Sequence, residues 1–114
     1  MPELLKIKIT EYVDNFLNKI GRINPQHREK IDSDIQTIRS VGIEKATQSK
    51  DIKQLVNVKP EIHELRVKTE TLEYRFLGTL RETVLILVSA FIKKDRKTRL
   101  KEIKTAKQRI KKLN

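Results

Sequence analysis

A chain of 114 residues with no cysteine can bury one modest core but not two, and it excludes a disulfide framework or a thiolate metal site. One domain held by packing alone is expected, cytoplasmic and without a cofactor. The formal net charge of +11 is concentrated in Lys93–Asn114, which carries 11 basic against 2 acidic residues, a field that attracts phosphates and makes nucleic acid the leading partner, ahead of an anionic membrane.

The opening, MPELLKIKIT, has too few uninterrupted apolar residues for a signal-peptide core, and no stretch approaches a membrane span. A soluble, unprocessed chain with no membrane partner is expected. Leu4–Ile9 reads as a short strand. Val13, Phe16, Leu17 and Ile20 recur at helical spacing, with Thr10 to cap and Gly21 to stop. Asn24–Pro25 starts a second helix, because the asparagine side chain accepts free backbone N–H groups and proline tolerates the first helical position. Ile31, Ile35, Ile38 and Val41 mark its face, Gly42 its end, and the two helices form a hairpin.

Residues 43–59 read as a polar connection that Ile52, Leu55 and Val56 clip to the core, and Pro60 breaks whatever precedes it. His63, Leu65 and Val67 alternate with Glu64, Arg66 and Lys68, the period of a strand with one buried face. Glu73–Leu77 pairs back on it. Thr83–Ile92 is almost continuously apolar and rich in β-branched residues, which predicts a strand covered on both faces. Leu100, Ile103, Ala106, Ile110 and Leu113 share one side of a basic closing helix with Thr98 as its cap. Helices grouped before an antiparallel sheet predict an α+β fold.

At HELR, EYR and AFIKKDRKT, and again at EIKTAKQR, the sequence resembles the RelE/HigB superfamily of type II toxins, in particular its phage-derived branch. EYVDNFLNKI and the helix that follows it resemble the family's two-helix opening. The resemblance implies a small RelE-like domain: a helical hairpin packed on an antiparallel sheet with a C-terminal basic helix. It also implies an mRNA interferase, an endoribonuclease that cuts messenger RNA on the ribosome and is silenced by a cognate helix-turn-helix antitoxin. Arg66 and Arg75 resemble the family's sheet arginines that face substrate phosphate, and Lys93 and Lys94 its cationic pair after the last strand. Two departures stand out: Arg99 follows Lys97–Thr98 where that branch usually has proline nearby, and the closing KKLN lacks a ring residue.

Metal-free RNA cleavage needs the 2′-hydroxyl to attack the adjacent phosphorus in line, while charge builds on the nonbridging and leaving oxygens. Arginine presents a planar fork to phosphate and stays protonated, which suits Arg66 and Arg75 to orientation and charge stabilisation. Lysine serves as a base only if burial or neighbouring cations lower its pKa, a condition that clustered Lys93 and Lys94 can meet. Arg96, Lys97, Arg99 and Lys101 are the candidate RNA-binding residues.

Other uses remain open on the residues alone. Arg66 and Arg75 can pair with Glu64 or Glu73 on an exposed strand, and Lys93 and Lys94 can discourage edge pairing at a strand end. His63 reads as a packed histidine, His27 as a solvated one, and Tyr74 and Phe91 as core residues rather than base-stacking platforms. An antitoxin can lay an acidic segment over Arg66, Arg75 and Lys93, or bind the Val13–Val41 hairpin. Two other functions fit the same chain: a ParE-like poison of DNA gyrase, and a nucleic-acid-binding module without activity.

Overall fold

A computed structural model describes residues 5–49 and 51–113. The elements run β1 (Lys6–Ile9), α1 (Glu11–Ile23), α2 (Pro25–Gln48), β2 (Ile52–Gln54), β3 (His63–Lys68), β4 (Glu73–Arg81), β5 (Val84–Ile92) and α3 (Arg96–Lys111). The strands form one sheet in the order β1-β5-β4-β3-β2. This is the expected α+β fold, consistent with a small RelE-like domain. The sheet is mixed rather than antiparallel, because β1 pairs with β5 in parallel while all other pairs are antiparallel.

The expectation of one core is corrected: alternation along the strands divides the buried apolar residues into two clusters, one on each face of the sheet. On one face Val13, Leu17, Ile20, Ile31, Ile35 and Ile38 of the helical hairpin pack against Leu65, Val67, Tyr74, Phe76, Leu85 and Leu87. On the other, Ile103, Ala106 and Ile110 of α3 pack against Leu77, Val88 and Phe91, with Leu55 and Ile62 closing the end. The apolar run of β5 is explained by this double cover. Tyr74 and Phe91 are both buried core residues, as expected.

Several boundaries differ from the sequence reading, each for a local reason. The expected strand start at Leu4 lies outside the described residues. Gly21 does not stop α1, which runs on to Ile23, where the next residue precedes Pro25 and the helix cannot continue. The Thr10 hydroxyl does not cap α1 but donates to the Leu87 carbonyl at 2.9 Å, tying the helix start to β5. Asn24 caps α2 as expected, accepting from the His27 N–H at 3.2 Å. Gly42 breaks α2 with φ 85°, yet helical turns resume as far as Gln48. The polar connection after it holds the edge strand β2. Ile52 and Leu55 are buried, while Val56 is 77% exposed and clips nothing.

β4 continues beyond Leu77 through an irregularity in its pairing with β5 at Leu77/Gly78. A Cβ on Gly78 would stand 2.2 Å from the Ile86 carbonyl oxygen, so glycine here is a point of close backbone approach rather than a strand end. α3 begins two residues before Thr98, because the Asp95 carboxylate accepts from the Thr98 N–H at 2.7 Å and takes the capping role. Leu100 is 54% exposed and stands off the apolar stripe. No helix among the described residues is long and apolar enough to cross a membrane.

Candidate active site

The same alternation that sends Leu65 and Val67 to the hairpin side sends Glu64 and Arg66 of β3, and Glu73 and Arg75 of β4, to the face that carries α3. Arg66 and Arg75 stand directly opposite each other in the ladder. Two like charges in that position repel. The glutamate two residues before each arginine, on the same face, offsets this.

Glu64 lies at the centre, 0% exposed. Its Oε1 accepts from Arg75 Nη1 at 2.8 Å and from Arg66 Nε at 3.1 Å, while Oε2 faces Arg99 Nε of α3 at 3.7 Å and has no hydrogen-bond partner. Glu73, 15% exposed, forms the rim. Its Oε2 accepts from Arg75 Nη2 at 2.7 Å and Nε at 3.1 Å, with Lys93 Nζ 3.5 Å away; Lys68 Nζ lies 3.9 Å from its Oε1. Burial opposes ionisation of Glu73, but the hydrogen bond and charge of Arg75, with Lys93 and Lys68, hold its carboxyl below the usual range. Arg66, Lys68, Arg75, Lys93 and Arg99 thus outnumber two carboxylates, so the array keeps an excess of positive charge for an anion.

The structure sorts the expected residues into two groups. Arg66, Arg75, Lys93 and Arg99 meet in one array. Arg75 is not an open phosphate fork, however: its side chain is 7% exposed and held by both glutamates. Lys94, Arg96, Lys97 and Lys101 are exposed. Lys97 and Lys101 lie on the side of α3 away from Ile103, Ala106 and Ile110, and so away from the sheet. The pairing of these arginines with Glu64 and Glu73 is realised, but on a largely buried strand rather than an exposed one; α3 packs on β4 and β5 of the same face and reaches Glu64 through Arg99.

Glu64, Glu73 and Lys68 were not among the candidate site residues. The signal for the first two was the repeated spacing Glu-x-Arg on adjacent strands, which at period two puts each acid beside its arginine. Among the described residues no three His, Asp or Glu side chains gather as a metal site. His63 is packed, as expected, and burial lowers its pKa against an opposing pull from Glu61. His27 departs from its expectation as a solvated residue: it is half-buried, with Nδ1 2.7 Å from the Tyr74 hydroxyl, and burial raises the pKa of that phenol. A groove of about 680 Å³ lies beside the array, lined by Asn24, His27, Lys30, Lys68 and Thr71. Lys68 joins the two.

Comparison with curated proteins and with solved structures finds no match. A family model does match, described as phage derived protein Gp49-like (DUF891), over residues 18–111. That span runs from within α1 to the end of α3 and holds every residue of the array. The chain belongs to the phage-derived Gp49-like family (DUF891), a family assigned to the toxins of toxin–antitoxin systems.

Proposed function

We propose that this toxin is a ribosome-dependent mRNA endonuclease. Its family implies a cognate antitoxin, and on this reading the antitoxin, a small helix-turn-helix protein, silences it in the cytoplasm. The observation that carries the reading is the convergence of Arg66, Arg75, Lys93 and Arg99, from two strands, a strand end and a helix, on one face of the sheet.

In the proposed reaction the ribose 2′-oxygen bonds to phosphorus as the bond from phosphorus to the 5′-oxygen breaks. The 2′-hydroxyl loses its proton, the 5′-oxygen gains one, and the products are a 2′,3′-cyclic phosphate and a 5′-hydroxyl. Negative charge builds on the nonbridging oxygens, where preorganised guanidinium groups are most effective because they need no reorganisation. Glu64 supplies that preorganisation by holding the Arg75 and Arg66 guanidiniums. Lys93 extends the cationic rim.

A test by Arg75→Ala confounds folding with function. It strips a buried carboxylate of its best partner, a change that costs about 3–5 kcal/mol of stability in comparable pairs. Arg75→Lys keeps the charge and loses the fork. Wild type and Arg75→Lys are expressed, growth is followed and transcript 5′ ends are mapped. The wild type is expected to arrest growth with cuts inside translated codons. Arg75→Lys, folded by circular dichroism, is expected to cleave about 100-fold more slowly, as when one transition-state donor is lost. Arrest with intact transcripts and broken DNA overturns the reading in favour of gyrase poisoning. RNA binding without product leaves a binding module.

A further inference from the structure

Glu73 and Glu64 share Arg75 but differ in freedom. Glu64 is fully buried among Arg66, Arg75 and Arg99, whereas Glu73 stands at the first position of β4, next to the β3–β4 turn, with exposed Lys68 and Lys93 beside it. Around its carboxylate the structure gathers a guanidinium at 2.7 and 3.1 Å and two ammonium groups at 3.5 and 3.9 Å. These are the contacts a phosphodiester asks for, and both anions carry one negative charge. The bonds from Arg75 Nη2 and Nε are the ones a phosphate would need; its Nη1 is already given to Glu64.

We propose that Glu73 is a resident counter-anion, which a phosphate of the bound RNA displaces from Arg75, so that the free protein rests in a self-blocked state. This rests on the RNA reading above for the identity of the ligand. Displacement leaves the Arg75 charge balanced and its position unchanged, because Glu64 holds the guanidinium from the buried side. The Glu73 carboxylate needs only side-chain rotation to reach solvent at the rim. A ligand that binds only the unblocked state has its affinity reduced by the fraction of molecules in that state, and a substitution that removes the block restores it. Glu73 therefore sets how strongly the site grips RNA, and losing it strengthens binding.

The test uses the full chain as wild type, Glu73→Gln, Glu73→Asp and Glu29→Gln. Glu29 is exposed on α2, and its substitution makes the same change in net charge. Binding of a 2′-O-methyl RNA oligonucleotide, which resists cleavage, is measured by fluorescence anisotropy, and of inorganic pyrophosphate by calorimetry. Glu73→Gln is expected to tighten both by about 5–10-fold, the gain from freeing a site blocked most of the time, and Glu29→Gln to change them less than about 2-fold. Glu73→Asp, which keeps the charge but shortens the reach, is expected to fall between, and it tests the idea should the glutamine variant misfold. If wild type binds and cuts RNA but neither Glu73 variant binds either probe more tightly than Glu29→Gln, the counter-anion idea is wrong and the RNA reading stands. If Glu73→Gln tightens pyrophosphate while no form binds or cuts RNA, the counter-anion idea stands and the RNA reading falls.

Discussion

His63 illustrates how a single buried group couples this fold to pH. Burial lowers its pKa from 6.5, with Nδ1 left without a partner. Well above pH 6.5 the imidazole is neutral in both states and its burial costs nothing in protonation. As pH falls below that value the unfolded chain takes up a proton that the folded one refuses until its own lower pKa is reached, so stability declines across that interval. Urea unfolding at pH 7.5 and 5.0 is expected to show this loss in the wild type and a smaller loss in His63→Leu. Arg66 and Arg75 are a second case at this scale. Their presence on a sheet and the option of pairing with Glu64 or Glu73 were legible from period-two alternation, and the pairs form, but their burial was not legible. Nothing in the alternation of β3 says that Glu64 will be fully buried, with Arg75 of β4 and Arg99 of α3 converging on it.

At the scale of elements, local signals worked where one residue satisfied its own neighbours. Asn24–Pro25 starts α2, because both the side-chain cap and the proline ring act within one turn. Glycine was harder to read, since it has no side chain whose preference can be followed. Gly21 lies inside a helix, Gly42 breaks one with a positive φ, and Gly78 permits a backbone approach that no Cβ fits. The last supports a firm expectation. Gly78→Ala forces β4 and β5 apart at the irregularity in their pairing, and overpacking of this kind costs about 3 kcal/mol. Urea denaturation should show that loss, and an unchanged midpoint would mean that the strands yield freely there.

Across the whole molecule, α3 decides the site. It contributes Arg99, which reaches buried Glu64, and is held by Arg109, which donates to the Val88 carbonyl at 2.9 Å and lies 3.8 Å over the Tyr12 ring of α1. A helix that reads as basic outside its apolar stripe thus has one cationic residue in the array and another used in packing, while Arg96, Lys97, Lys101, Lys104 and Lys111 are exposed. Lys97 and Lys101 are among the solvent-facing ones, so the double substitution Lys97→Ala/Lys101→Ala is expected to act only through the long-range field. The slope of log affinity against log salt for RNA binding should fall by well under about 1.4, the change for two full phosphate contacts on a single strand at about 0.7 each. A drop of that full size would place RNA across the outer side of α3.

What the sequence determined by itself was whatever depends on neighbours within a turn or along a strand: the helical hairpin, the strand alternation, the strand character of Val84–Ile92 and the basic closing helix. Each follows from periodicity or capping, which act over a few residues. The resemblance at HELR, EYR and AFIKKDRKT pointed to the toxin class, because those residues recur together as a pattern. Only the tertiary structure decided that β1 joins the sheet in parallel, that Asp51 is followed by an edge strand, and that Glu64 is buried among three arginines from three elements. These depend on contacts between residues far apart in the chain, and on which face of the sheet α3 closes, and neither leaves a mark in the local pattern of residues.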